Sequence, residues 1–194
     1  MSTNIKWDEA LVSREERWKL LDSQGATLWF TGLSGAGKST VAAALEKCLL
    51  DKAIRAYRLD GDNIRHGLNQ DLSFSPEDRR ENIRRIGEVA TLLADSGCLV
   101  LTSFISPYRE DRAQVRKKHQ EVGIQFIEVF VDTPIEICES RDPKGLYVKA
   151  RAGEIGDFTG VSAPYEAPEN PETHLEAGSE PVEELASQCL SKLK

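Results

Sequence analysis

The segment Ala26-Thr27-Leu28-Trp29-Phe30-Thr31-Gly32-Leu33-Ser34-Gly35-Ala36-Gly37-Lys38-Ser39-Thr40-Val41-Ala42-Ala43-Ala44-Leu45-Glu46 decides the fold. Its first six residues form an apolar, aromatic and β-branched run of strand type, and the residues from Thr40 to Glu46 are good helix formers. Between them, Gly32 to Ser39 fits G-x-x-x-x-G-K-[ST] at every fixed position. Glycines there let the backbone curl so that its N–H groups point inward, and the N-terminus of the following helix adds partial positive charge facing an anion. Gly32, Leu33, Ser34, Gly35, Ala36, Gly37, Lys38, Ser39 and Thr40 are therefore candidate ATP-binding residues. Lys38 is suited to reach the β- and γ-phosphates, and the Ser39 hydroxyl to ligate Mg2+.

Beyond this unit, strands alternate with helices. Ile54–Leu59, Cys98–Phe104 and Phe126–Val131 read as strands, with a last one near His174-Leu175, and helices are expected from Pro76, over Glu110–Glu121, after Pro134 and from Pro181 to Leu193. This spacing indicates βαβ units: an α/β, three-layer fold of the P-loop type with a mostly parallel central sheet. Ligands of such sheets bind at the carboxyl ends of strands, so Asp60-Gly61-Asp62 and Ile105-Ser106 face the same crevice as the loop. Either Asp60 or Asp62 is suited to accept the proton of an attacking hydroxyl, or to help hold hydrated Mg2+. On the helix capped by Ser75, Arg79 and Asn82 are three apart and share a face, offering a guanidinium and an amide to one ligand. Residues 141–160 mix charge with many glycines and are expected to form a mobile lid.

At 194 residues the chain suits one domain over 25–194, preceded by a leader over 1–24 in which Ser13 and Glu16 make a capping-box pattern and Trp18, Leu20 and Leu21 supply a few apolar contacts. Formal charge is −7, from 25 Lys+Arg against 32 Asp+Glu, which argues against coating nucleic acid through bulk charge. The four cysteines are isolated and read as reduced thiols, and His66, His119 and His174 lack metal-ligand spacing. The first residues have no signal-peptide core and no run approaches a membrane span, so a soluble, cytoplasmic protein is expected.

Read together, five blocks resemble the successive motifs of the adenylylsulfate kinase family. They are Gly32 to Ser39, Leu59 to Arg65, Phe74 to Arg84, Phe104 to Arg109, and Arg141 to Tyr147; Phe158-Thr159-Gly160 and Pro164-Tyr165-Glu166 extend the likeness. The resemblance implies transfer of the γ-phosphoryl group of ATP, with Mg2+, to the 3′-hydroxyl of adenosine 5′-phosphosulfate. It implies catalytic roles for Lys38, Asp60, Asp62 and Ser106, the last aligned with a serine assigned in some members as a phosphorylated intermediate but expected here to position or bind substrate. It places Asp62, Asn63, Arg65, Arg79 and Asn82 on the sulfonucleotide, Phe74 and Phe158 about its adenine, and Ile105, Ser106, Lys144 and Asp157 in the same pocket. Arg141 falls on the ATP side, Ser39 at the metal, with Asp60 as a second metal candidate. A homodimer is expected, with a separate ATP sulfurylase supplying the substrate. The chain departs from the family pattern at Ser140, Val148 and Gly156; the last two remove customary lid lysines and leave Lys144, Lys149 and Arg151.

Two other functions fit the loop. A kinase of the same architecture could act on another small hydroxyl compound, such as a sugar acid or nucleoside. A nucleotide-dependent switch is disfavoured by the lack of an Asn-Lys-x-Asp guanine-reading element.

Overall fold

The computed structural model describes Lys6 and residues 11–193. Of the expected leader over 1–24, residues 1–5 and 7–10 thus lie outside the described residues.

Five parallel strands, β1 (Ala26–Thr31), β2 (Ala56–Asp60), β3 (Leu99–Ser103), β4 (Gln125–Asp132) and β5 (Thr173–Glu176), form one sheet in the order β2-β3-β1-β4-β5. The quoted segment thus supplies the central strand, and all six of its strand residues are buried. Alternation along β1 sends Leu28 and Phe30 to one face and Trp29 to the other, as the two-residue period of a strand requires. The first face is covered by α2 (Lys38–Asp51) and α8 (Val182–Leu190), which bury Val41, Ala42, Leu45, Leu185 and Ala186. The second is covered by α4 (Pro76–Asp95) and α5 (Arg109–Glu121), through Ile83, Ile86, Ala90 and Val115. Coverage on both faces explains why β1 and β3 are continuous apolar runs rather than alternating ones.

Three short helices link these elements: α3 (Gly61–Arg65) after β2, then α6 (Ile135–Arg141) and α7 (Leu146–Arg151) after β4. The stretch from 141 to 160 therefore contains a helix, α7, rather than loop alone. Helix α1 (Arg14–Leu21) begins at Ser13, whose side chain accepts from Glu16 N as the capping pattern predicts. Its attachment differs from expectation, because Leu20 and Leu21 are exposed. Arg14 and Arg17 instead pair with Asp95, and Trp18 Nε1 donates to the Asp95 carbonyl at 3.0 Å. The Asp95 carboxylate takes both arginines and its orphan carbonyl, at the end of α4, accepts from Trp18 and Arg17, so the contact is polar rather than apolar.

Candidate active site

The phosphate loop closes on itself through its own lysine. Gly35 has φ 74°, and a Cβ there would lie 3.0 Å from the Cys138 carbonyl oxygen, so backbone conformation and space both call for glycine. Thr133, just past β4, fixes the loop from below by donating to the Ala36 carbonyl at 2.9 Å. Lys38 is buried, and its Nζ donates to the carbonyls of Gly32 (3.0 Å) and Leu33 (2.7 Å). Burial lowers its pKa from 10.5 to about 8.

One residue further on, the loop meets the end of β2. Ser39 Oγ donates to Asp60 Oδ2 at 2.7 Å and lies 3.0 Å from Ser103 Oγ at the end of β3. Arg58 Nη1 donates to the same Asp60 oxygen at 3.0 Å, while Asp60 Oδ1 caps α3 by accepting from Asp62 N at 3.1 Å. Asp60 is thus fully engaged, in a cluster of hard oxygen donors suited to a small divalent cation. Asp62 is different: its carboxylate is exposed and its partner is Lys144 Nζ, which reaches it from the segment leading into α7.

The opposite wall comes from α3, α4 and the turn between them. Arg65 stacks its guanidinium over Phe74 at 4.3 Å and donates to the carbonyls of Leu72 and Ser73. Phe74 itself is 63% exposed. Arg79 holds the Phe74 carbonyl at 2.9 Å and crosses to Thr159 Oγ1 at 2.7 Å and the Asp157 carbonyl. Asn82 is buried, with its Oδ1 accepting from Asn69 Nδ2 at 2.9 Å. At the floor, Ser106 is buried, and its hydroxyl accepts from Trp29 Nε1 at 3.1 Å.

The segment from Arg141 to Thr159 forms the roof. Asp142 accepts from the N–H groups of Leu146 (2.8 Å), Tyr147 (3.1 Å) and Val148 (3.2 Å), satisfying the first turn of α7. Tyr147 is buried, packs edge-on against Phe158 at 5.0 Å and donates to the Ser34 carbonyl at 2.9 Å, tying the roof to the phosphate loop. Arg141 bridges the Gly35 carbonyl and those of Ala177 and Gly178. Val148 is 70% exposed, and of the three remaining cations only Lys144 lines the cleft. Arg151 turns outward to Glu139.

All of these surfaces enclose one cavity of ≈ 940 Å³. It brings together Ser34 to Thr40, Asp60, Asp62, Arg65, Phe74, Arg79, Asn82, Ile105, Ser106, Arg141, Lys144 and Phe158. Gly32, Leu33, Asn63 and Asp157 do not line it. Asn63 is exposed on α3, rotated by about 100° per residue away from Asp62, and the Asp157 and Leu33 carbonyls are taken up by Arg79 and Lys38. Sequence reasoning missed Ser103, Thr159 and the rim made by Ala177, Glu180 and Val182. Ser103 had a signal, the carboxyl end of β3; the rim had none, since it reaches the loop only when α8 packs on α2.

Comparison with known proteins agrees with this geometry. Residues 24–176 match the family profile described as adenylylsulphate kinase. The chain is 59% identical over 187 residues to the adenylyl-sulfate kinase of Saccharomyces cerevisiae, covering 96% of this chain and 92% of that one. It is 54% identical over 193 residues to that of Staphylococcus carnosus, covering 100% and 96%. In three dimensions it superposes on an APS kinase of Mycobacterium tuberculosis, solved in complex with AMPPNP and APS, with a TM-score of 0.85 and 57% identity over 87% of this chain and 97% of that one. A phosphate loop facing a wall of arginine, amide and aromatic groups across one cavity, matched at this identity over nearly the whole length, shows that the chain belongs to the adenylylsulphate kinase family.

Proposed function

We infer that the chain transfers the γ-phosphoryl group of ATP to the 3′-hydroxyl of adenosine 5′-phosphosulfate, giving 3′-phosphoadenosine 5′-phosphosulfate. The observation that carries this reading is the single cavity with two unlike walls. One is the phosphate loop with Lys38 and Ser39; the other offers Arg65, Arg79, Asn82 and an exposed Phe74 to an anionic purine nucleotide. A purine has two π faces for stacking, and a phosphosulfate needs fixed cationic donors, so this second wall selects a nucleotide over a sugar acid.

Phosphoryl transfer in this fold asks the protein mainly to position and to stabilise charge. Lys38 leaves the Gly32 and Leu33 carbonyls for the β- and γ-phosphates, and Arg141 borders the ATP base beside Ala177 and Glu180. Ser39, with Asp60 and Ser103 each within hydrogen-bond reach of its hydroxyl, forms an all-oxygen set, a fit for a hydrated Mg2+ carried by ATP. Such an ion, when bound, neutralises phosphate charge. The division of labour between the two aspartates follows from their partners. Asp60, held by Ser39, Arg58 and Asp62 N, supports the metal side, whereas Asp62, held only by a lysine at the cavity edge, orients the acceptor hydroxyl and takes its proton. Ser106, whose hydroxyl is occupied by Trp29, shapes the acceptor floor. Residues 141–160 act as a lid that excludes water, joined to the loop by Tyr147 and to the acceptor wall by Arg79.

The unit 25–194 is proposed as the kinase domain, working as a homodimer on substrate made by a separate sulfurylase. Because the reaction draws on ATP, a cytoplasmic site is proposed; among the described residues no helix is long and apolar enough to cross a membrane. The deciding experiment is ADP release measured with and without adenosine 5′-phosphosulfate, beside adenosine and gluconate. Strong stimulation by the sulfonucleotide alone is expected, and its absence at every concentration overturns the reading.

A further inference from the structure

The acceptor floor holds a backbone conformation that its own sequence does not favour. Ser106 has φ 41°, in the left-handed region that disfavours residues other than glycine, and it is buried. Something outside the turn has to hold it there. Three groups touch it: Trp29 Nε1 bonds the hydroxyl at 3.1 Å, Thr31 Oγ1 bonds the preceding Ile105 carbonyl at 2.7 Å and reaches the Ser106 carbonyl at 3.4 Å, and Arg112 Nη1 makes the short bond to the Ser106 carbonyl at 2.6 Å.

Arg112 differs from the other two in reach. It lies in the second turn of α5, is 2% exposed, and uses all three arms of its fork. Nε donates to Glu128 Oε1 on β4 at 2.6 Å, and Nη2 to the Glu166 carbonyl at 2.7 Å. Glu128 is held in turn by Arg116 at 3.2 Å, and Glu166 returns to the same turn, its N–H donating to the Pro107 carbonyl at 2.8 Å. One guanidinium therefore ties α5, β4, the strap around Glu166 and the turn after β3. A buried arginine–carboxylate pair is a weak source of net stability, so what this one adds is geometry.

We propose that Arg112 is a positioning residue for the acceptor side of the cleft: its guanidinium holds the Ser106 carbonyl, and with it the left-handed turn that sets Ile105 and Ser106 against the acceptor. This rests on the kinase reading above, in which that floor faces adenosine 5′-phosphosulfate. Arg112 does not line the cleft and touches no part of the phosphate loop.

The test is steady-state kinetics on the full chain with both substrates varied. The unaltered protein is assayed first; no stimulation of ADP release by adenosine 5′-phosphosulfate defeats the kinase reading itself. Given stimulation, Arg112→Lys keeps the charge beside Glu128 but cannot span three acceptors. We expect KM for adenosine 5′-phosphosulfate to rise about tenfold with KM for ATP within about twofold. Glycine accepts the left-handed turn unaided, so in a Ser106→Gly background the same change should move the acceptor KM less than about twofold. An equal rise in both backgrounds, or both KM values moving together, overturns the proposal. If Arg112→Lys does not fold, Glu128→Gln decides, with an expected acceptor-selective rise of about threefold; a folded Glu128→Gln with an unchanged acceptor KM overturns it as well.

Discussion

The Ser39 hydroxyl donates to Asp60 Oδ2 at 2.7 Å, joining the first turn of α2 to the last residue of β2. Two consecutive elements thus meet at one oxygen cluster, with Arg58 balancing the carboxylate charge at 3.0 Å. Replacing Asp60 by Asn keeps the size and one acceptor but removes the charge proposed to support a cation. Asp60→Asn should raise the Mg2+ concentration needed for half-maximal rate by about 10- to 100-fold, read from Mg2+ titrations at fixed ATP. A normal Mg2+ dependence speaks against the metal-side role.

Lys38 sets a pH dependence whose sign follows from its burial. Its pKa is lowered to about 8 in the folded chain, against 10.5 ordinarily, so between those values the unfolded chain binds more protons. Stability of the protein without nucleotide should therefore rise with pH across that interval, the cost of the buried charge being present in full below about 8. ATP favours the charged ammonium, so its affinity should weaken above about pH 8, by at most about tenfold per pH unit. Calorimetry in buffers of differing ionisation heat should show proton uptake on binding at pH 9, lost in Lys38→Ala.

Phe74 is 63% exposed yet carries the Arg65 guanidinium at 4.3 Å. Truncation should therefore cost little fold stability and much acceptor binding. Phe74→Ala is expected to raise KM for adenosine 5′-phosphosulfate by about tenfold or more while shifting stability by under about 0.5 kcal/mol. Comparable losses for ATP and acceptor contradict the assignment of this wall.

Asp142 satisfies the N–H groups of Leu146, Tyr147 and Val148. Asp142→Ala should cost about 1–2 kcal/mol of local stability. Hydrogen exchange ought to accelerate over residues 146–151 while β1 and β3 keep their protection.

Strand β1, the loop and α2 were legible because strand period, glycine spacing and helix propensity all agree over one short segment. The Ser75 cap was legible too, and its side chain accepts from Asp78 N at 3.1 Å. What escaped were contacts made by tertiary packing alone. Leu20 and Leu21 carry the apolar character of a packed helix, but the carbonyl and carboxylate of Asp95 offered Arg14, Arg17 and Trp18 a better anchor. Asp60 and Asp62 could not be told apart by type or spacing, since only their partners distinguish them. Arg112 looks in sequence like one more cation on a basic helix, and only the fold turns it inward.

The bonds from Lys38 to the Gly32 and Leu33 carbonyls have a bearing on which anions the loop accepts. An arriving anion must outcompete two carbonyl oxygens already aligned with the ammonium. A single orthophosphate or sulfate, touching only part of the loop, makes too few new contacts to gain much from that exchange. A triphosphate spans the loop and recovers the loss many times over. The self-engaged lysine thus sets a threshold that favours a long polyphosphate over a single small anion.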